Sequence, residues 1–282
     1  MGVNRPKGEK PVINERFFYT AGYSRRETPE EHAARRTEDR PAGIASGTEK
    51  KDDSPPAERT LKEGIRLFRI KRWEKALQEL LLVNTDQFES EDHAELAYYL
   101  GLCYTKLERY DKALLYLEQV VTAGHDMLRT YQCRMTLAYI YVITNRAGLA
   151  EFELKRLRHN GFESAQLYNT LAYAAYIQKH YEKAIKLYEK ALDLDENNAT
   201  ALNSMGYILA DAGIDIMRGL RLCRKAVDKK PQSPAYLDSL GWAYYKSGEL
   251  PEARSWLRRA LDLAPHEKEI KNHFRIASGE VL

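Results

Sequence analysis

Residues 236–265 read YLDSLGWAYYKSGELPEARSWLRRALDLAP, and the spacing of the small residues in this stretch decides the fold. Gly241 lies where a first helix must let a neighbouring helix approach closely. Ala253 and Ala260, twelve and nineteen residues later, provide the same close approach on a second helix. The stretch therefore predicts a tightly packed pair of helices.

Helix-breaking residues and large apolar residues support the same pair of helices. Gly248 interrupts the chain between the two helices. Pro265 suits the first turn of a following helix, because its φ is fixed and its missing N–H is not needed there. Large apolar residues fill the complementary packing positions: Leu237, Leu240, Tyr244, Leu250 and Leu257.

This pattern resembles the tetratricopeptide repeat, a helix-turn-helix unit of 34 residues with small residues at fixed places in both helices. The amino-acid sequence of the stretch is similar to that of repeats in bacterial scaffold and assembly proteins. The resemblance implies an all-α, right-handed superhelical solenoid, in which each helix pair buries one face against its neighbour.

Small residues recur at the same two places along the chain and predict six helix pairs. The first-helix position holds Gly64, Gly101, Ala138, Ala172, Gly206 and Gly241, and the second-helix position holds Ala76, Ala113, Ala150, Ala184, Gly219 and Ala253. The repeats are expected at about 57–90, 94–127, 131–164, 165–198, 199–232 and 234–267, within a solenoid over 58–265. Residues 266–282 should form a capping helix and a short tail, since Ile270 and Phe274 share one face.

The first half of the array should be less regular than the second. The two earliest spacings between the small residues are 37 residues, from Gly64 to Gly101 and from Gly101 to Ala138. This surplus predicts longer connections between the helices before about Gly161.

The first 57 residues are expected to be a disordered tail. They contain six of the ten prolines and few aliphatic residues, so they bury too little apolar surface to offset the entropy of ordering. One segment, residues 12–23, is different, because it concentrates the aromatic residues Phe17, Phe18, Tyr19 and Tyr23. This segment could dock on a partner, pack on its own solenoid, or fold into and occlude the inner surface of the repeats.

Composition argues against several functional classes. The formal net charge of +3 gives no general attraction to nucleic acid or membranes. The three cysteines lack CxxC spacing and are expected to be reduced core thiols, and the absence of a signal-peptide or membrane-length apolar run favours a cytoplasmic protein. Catalytic motifs are not found, and His266 and His273 are expected at the surface, so neither an enzyme nor a bound cofactor or metal is predicted.

A basic cluster falls on the second helices of the last two repeats, which form the outer face in this family. Acidic residues interrupt the cluster and aromatic residues for base stacking are not interleaved. A solvated or protein-contacting face is therefore expected rather than a nucleic-acid site. The cluster comprises Arg218, Arg221, Arg224, Lys225, Lys229, Lys230, Arg254, Arg258 and Arg259.

The resemblance implies that the first helices line the inner surface, and it selects candidate binding residues there. A polar row and an aromatic row run along the last three repeats. The amides can donate to and accept from a peptide backbone, while the rings offer flat apolar area at low entropic cost. The predicted groove residues are Asn169, Tyr173, Tyr176, Asn203, Tyr207, Asp238, Trp242 and Tyr245.

Chaperone-binding members of the family hold a terminal carboxylate with Lys and Arg in the polar row. The corresponding places here are Leu61, Tyr98, Met135 and Asn169, so a carboxylate clamp is not expected. The favoured hypothesis is a non-enzymatic scaffold or adaptor that binds an extended segment or helix of a partner protein. The alternative is a component or assembly factor of a large bacterial envelope-associated machine, of flagellar or pilus type, that contacts partners through its outer face and its tail.

Overall fold

A computed structural model describes residues 56–280, and this part of the chain is helical without strands. Thirteen helices follow one another. They are α1 (Pro56–Arg69), α2 (Trp73–Leu81), α3 (Ser90–Lys106), α4 (Tyr110–Ala123), α5 (Met127–Ile143), α6 (Ala147–His159), α7 (Ala165–Ile177), α8 (Tyr181–Leu194), α9 (Ala199–Asp211), α10 (Ile216–Lys229), α11 (Pro234–Ser247), α12 (Leu250–Leu263) and α13 (Lys268–Ser278). The predicted all-α fold of about six helix pairs followed by a capping helix is confirmed.

The chain divides into two compact units, and the division falls within α5. In the N-terminal unit, which ends at Cys133, α1 packs on α2 and α3 packs on α4. In the C-terminal unit, which contains Arg134 to Leu282, the packed pairs include α7 with α8, α9 with α10 and α11 with α12. Helix α13 then packs on α12 and α11.

Close packing within each pair depends on the small residues. A Cβ on Gly241 would lie 2.7 Å from Cγ of Leu257 and 3.0 Å from its backbone nitrogen. The fifth pair is tighter still, because a Cβ on Gly206 would lie 2.8 Å from the carbonyl oxygen of Gly219. Backbone therefore meets backbone at this crossing, which explains why Gly219 stands where the other repeats have alanine.

The irregular first half has a different origin from the one expected. The connection between α2 and α3, residues 82–89, is long, as predicted. The three extra residues between Gly101 and Ala138 do not lengthen a connection, so the prediction was wrong there. Only residues 124–126 join α4 to α5. Instead α3 and α5 are each 17 residues long, against 13 or 14 in the first helices α7, α9 and α11, so both begin about one turn earlier.

The C-terminal helix begins later than the sequence indicated. Pro265 is not in its first turn, since α12 ends at Leu263 and α13 begins at Lys268, with Pro265 in the connection. Ile270 and Ala277 of α13 are buried in the same core as Leu240 and Leu257. The helix therefore covers the apolar end of the last pair.

Some predictions fall outside the described residues. These are the tail up to residue 55 and its segment 12–23, with Phe17, Phe18, Tyr19 and Tyr23, and they stay predictions. Within the described range, no helix combines the length and the apolarity that crossing a bilayer requires.

The close backbone approach predicts a sharp contrast between two glycines. Gly206→Ala should lower the free energy of unfolding by about 1–3 kcal/mol, because the new methyl group would overlap backbone atoms of α10. Gly148→Ala is the control: nothing lies within 4 Å of its Cβ position, so better helix propensity should raise stability by up to about 1 kcal/mol. Urea denaturation followed by circular dichroism measures both; equal effects would contradict the packing account.

The three cysteines are core thiols, as predicted, and all are free and fully buried. Burial raises the pKa of the Cys103 and Cys133 thiols to about 12 and raises that of Cys223 further. Because the thiolate is the reactive species, a thiol reagent at neutral pH should label none of them in the folded chain and all of them in urea. Stoichiometric labelling without denaturant would show that the helices open more readily than this packing allows.

Candidate functional site

The candidate site is the inner surface, defined here as the side of the C-terminal unit formed by the first helices α7, α9 and α11 together with α13. These first helices contain very few charges. In sequence, α7 has none, α9 has Asp211, and α11 has Asp238 and Lys246, whereas the second helices α8, α10 and α12 together have seventeen charged residues. The inner surface is consequently built from aromatic rings, amides and a small number of charges.

The polar row has four members rather than three. Asn169, Asn203 and Asp238 are followed at a spacing of 35 residues by His273 of α13. Nδ1 of His273 lies 3.0 and 2.9 Å from the two carboxylate oxygens of Asp238. The expectation that His273 is a surface residue was wrong, since it is only 5% exposed. Helix α13 thus acts as a further first helix.

The aromatic row packs on the same histidine. The imidazole of His273 stacks on the indole of Trp242, with ring centroids 4.1 Å apart and planes 18° apart. The ring centroid of Tyr207 lies 6.4 Å from that of the His273 imidazole. Tyr245 in turn stacks on Trp242, with ring centroids 4.9 Å apart. His273 is therefore held by an ion pair and by two aromatic contacts at the end of both rows.

The predicted groove residues separate into two groups by accessibility. Four are buried: Tyr173, Asn203 at 2% exposed, Asp238 at 5% and Trp242 at 8%. Four remain half-buried: Asn169, Tyr176, Tyr207 and Tyr245. Asn203, Asp238 and Trp242 therefore expose little surface. Those side chains pack beneath the surface, and Tyr176, Tyr207 and Tyr245 are its more exposed rings.

Sequence reasoning missed Asp211, Lys246 and Glu269 at this surface. Trp242 donates its indole N–H to Oδ1 of Asp211 at 2.9 Å, and Nζ of Lys246 lies 3.6 Å from the same oxygen. The Lys246 ammonium also lies over the Trp242 ring, 5.7 Å from its centroid. Asp211 is four residues after Tyr207 on α9 and therefore on the same helix face, which is the sequence signal that could have identified it.

Hydrogen bonds fix the orientation of Asn169. The backbone N–H of Ala201 donates to Oδ1 of Asn198 at 3.0 Å, which identifies that atom as an oxygen. The amide nitrogen of Asn169 donates to the same oxygen at 3.0 Å. The oxygen of Asn169 is left buried without a hydrogen-bond partner, and so is the side-chain oxygen of Asn203. Two members of the polar row thus have unused acceptors.

The tyrosines of this surface lie in a buried and negatively charged setting. Burial raises the pKa of Tyr176 and Tyr207 above the ordinary value of a phenol, and the carboxylates of Asp211 and Glu269 raise the pKa of both further. Burial and the charge of Glu269 do the same to the pKa of Tyr173. Carboxylates from α9 and α13 therefore act on phenols of α7 and α9.

The described residues do not gather metal-ligating side chains at this surface. Within residues 56–280, no group of three or more His, Cys, Asp or Glu side chains is arranged to hold a metal ion. His273 and Asp238 form an ion pair, and both are buried inside the helix packing.

Protonation of His273 should stabilise the docking of α13. Burial opposes the charge on the imidazole, but Asp238, with Glu269 and Asp211, outweighs it and holds the pKa above 6.5. With a folded pKa above the unfolded one, this stabilisation is complete below about pH 6.5 and is lost as pH rises through the folded pKa. Hydrogen exchange of residues 268–278, corrected for its intrinsic pH dependence, should show protection falling as the pH rises above about 6.5.

His273→Gln is the control for this titration, since glutamine does not titrate. In this variant the protection of α13 from hydrogen exchange should change little over the same pH range. Peptides from α7 serve as an internal reference. Protection of α13 that rises with pH in the unsubstituted chain would contradict the assignment of a charged imidazole.

Comparison with known protein families identifies the repeats directly. Residues 61–126 and 234–267 match the family described as tetratricopeptide repeat, and residues 172–213 match that described as TPR repeat. A TPR repeat-containing protein of Pseudomonas aeruginosa is 41% identical over 28% of this chain and 13% of its own length. The human mitochondrial import receptor subunit TOM70 is 27% identical over 41% of this chain and 19% of its own length. The photosystem I assembly protein Ycf3 of Prochlorococcus marinus is 30% identical over 36% of this chain and 64% of its own.

Solved structures show the same fold at low sequence identity. A tetratricopeptide repeat protein from Parabacteroides merdae has a TM-score of 0.63 at 12% identity, covering 81% of this chain and 87% of that one. The Cut9–Hcn1 hetero-tetramer of the APC/C gives a TM-score of 0.64 at 14% identity, covering 78% of this chain and 42% of that one. The curated relatives are matched over less than two thirds of their length, so the likeness concerns the repeats. With helix pairs, small-residue crossings and family matches in agreement, the chain belongs to the tetratricopeptide repeat proteins.

Proposed function

We propose that this chain is a non-enzymatic interaction scaffold that holds an extended segment or a helix of a partner protein on the inner surface of its C-terminal unit. The observation that supports this most is the segregation of charge. Tyr176, Tyr207 and Tyr245 are partly open on helices that are nearly free of charge. Aromatic area on helices with few charges is less costly to desolvate than a highly charged face, and aromatic residues are enriched at the core of protein interfaces.

The names of the relatives are consistent with this class of function. One is called an import receptor subunit and another an assembly protein, and both names describe work on other proteins. The tetratricopeptide repeat is a scaffold on which such work is done by surface residues rather than by catalytic ones.

A second candidate, an assembly factor that contacts a larger machine through its outer face, is favoured by α10. Arg221, Lys225 and Lys229 are exposed on this helix and make no ion pair with a described residue, whereas Arg218 pairs with Glu189 at 3.0 Å. Unpaired cations on one outer helix suit an acidic protein surface. Size-exclusion chromatography with cell lysate separates the candidates: a stable large complex that Arg221→Glu with Lys225→Glu disperses supports the outer face.

Affinity purification with mass spectrometry tests the inner surface. The variant is Tyr176→Ala with Tyr245→Ala, and the matched control is Phe152→Ala, which removes an aromatic ring that is 54% exposed on the second helix α6. Partners of the unsubstituted chain should be recovered at least about tenfold less by the double variant, as expected when hot-spot rings are truncated, and equally by the control.

Circular dichroism should show the same helix content for all three proteins, which keeps a loss of binding distinct from a loss of fold. Equal recovery of partners by the double variant and the control would overturn the assignment of the inner surface.

A further inference from the structure

The first helices α3 and α5 have an additional turn at their N-terminal ends. Helix α3 begins eleven residues before its small residue Gly101, and α5 begins eleven residues before Ala138. The helices α7, α9 and α11 each begin seven residues before theirs. The additional residues are 90–93 and 127–130, and they extend beyond the length that the regular helix pairs need.

Contacts join these turns on one side of the N-terminal unit. Oγ of Ser90 lies 2.6 Å from Nε2 of His125, which precedes α5 by two residues. The ring of Phe88 packs edge-to-face on the imidazole of His93, with ring centroids 5.7 Å apart. The surface so formed, called the N-terminal edge here, comprises residues 86–93 and 125–130.

Two large apolar side chains are open to solvent at the N-terminal edge. Met127 is 69% exposed and Leu128 is 64% exposed, which places them among the most exposed apolar side chains of residues 56–280. They are adjacent in sequence and share the edge with the half-buried ring of Phe88. Covering such apolar area with another chain segment is favourable, because it removes the area from water.

The N-terminal edge is also acidic. From Ala76 to Thr105 the chain has six carboxylates and no Lys or Arg, and four of the six lie within residues 86–93. Asp86 and Glu91 are exposed, and neither forms an ion pair with a described residue. Their charges are therefore available to a basic segment.

The chemistry of residues 12–23 is complementary to this edge. Residues 5–26, which include the segment, contain six basic and two acidic side chains. The surplus of positive charge matches the acidic edge, and aromatic rings provide large apolar area to cover the exposed side chains. The aromatic residues of the segment are Phe17, Phe18, Tyr19 and Tyr23.

The first repeat begins on the side of the unit where this edge lies. Helix α1 packs on α3, and Nζ of Lys106 at the end of α3 lies 5.9 Å from the ring centroid of Trp73, shortly after α1. The two helices therefore run in the same direction, and Pro56 lies on the side where α3 begins. Residues 24–55 connect the segment to Pro56 and can span up to about 100 Å, several times the length of α3, which is about 25 Å.

We propose that residues 12–23 of this chain dock on the N-terminal edge, where their aromatic side chains cover Met127 and Leu128 and the flanking basic residues face Asp86 and Glu91. The sequence left three roles open for this segment, and the charge and position of the edge favour docking on its own repeats. The proposal concerns the N-terminal unit alone, so it stands independently of the function proposed for the inner surface.

Photo-cross-linking within the full chain tests the proposal. Phe18→p-benzoylphenylalanine introduces an aromatic ketone that on irradiation inserts into nearby C–H bonds, including those of methionine side chains. After tryptic digestion of the irradiated, dilute chain, the cross-link should be found on residues 113–129, the peptide that contains Met127 and Leu128. The same probe introduced at Ala34, outside the segment, should not label this peptide.

Two variants examine the apolar and the charged parts of the edge separately, and both keep Met127 as a reactive side chain. Leu128→Gln and Glu91→Lys should each lower the yield of the cross-link severalfold, because each removes one of the two attractions. The matched controls are Leu115→Gln and Asp111→Lys, which change an exposed leucine and an exposed carboxylate of the first turn on the second helix α4. Neither control should change the yield.

Circular dichroism should show the same helix content for all four variants, which keeps a loss of docking distinct from a loss of fold. A cross-link on α7, α9 or α11 would overturn the proposal in favour of a segment that occludes the inner surface. A cross-link between two chains would overturn it in favour of docking on a second copy. The absence of any cross-link from position 18, or a cross-link on residues 113–129 that none of the variants lowers, would also overturn it.

Discussion

The structure depends on how closely the two helices of a pair approach each other. At Gly241 the space for a methyl group is taken by Leu257, and Leu80 and Leu117 occupy the same place against Gly64 and Gly101. In the fifth pair the backbones themselves touch, and Cys223 takes the place of the leucine. Since a core packed at this density cannot absorb an extra methyl group without strain, these crossings set the geometry of every surface the repeats present.

The distribution of charge follows from this packing. A first helix such as α9 contacts its own partner α10, the preceding second helix α8 and the next first helix α11, so little of its surface is left for solvated side chains. The second helices keep one side in water and accept the charged residues. The inner side is consequently built of rings and amides, with a few carboxylates such as Asp211, whose electrostatic effect is strengthened by partial burial.

Helix α13 closes the array and completes the inner surface. Its apolar residues Ile270 and Ala277 join the core of the last pair, which the periodicity of the sequence predicted in part. Its polar contribution is of another kind, because His273 extends a row that began at Asn169 and places its imidazole between Asp238 and Trp242. Breaking the buried pair with Asp238 would leave an uncompensated charge among apolar side chains, and this couples the end of the array to the surface.

The sequence by itself determined the helix pairs and their order, because glycine and alanine at fixed spacings have one packing explanation and depend only on local crossings. It also identified which helices line the inner surface. Tertiary structure alone decided which of their side chains stay open: Asn203, Asp238 and Trp242 were expected to contact a ligand, yet neighbouring helices cover them. Accessibility and ion pairs such as His273 with Asp238 depend on residues far apart in the chain, and the spacing of the small residues does not encode them.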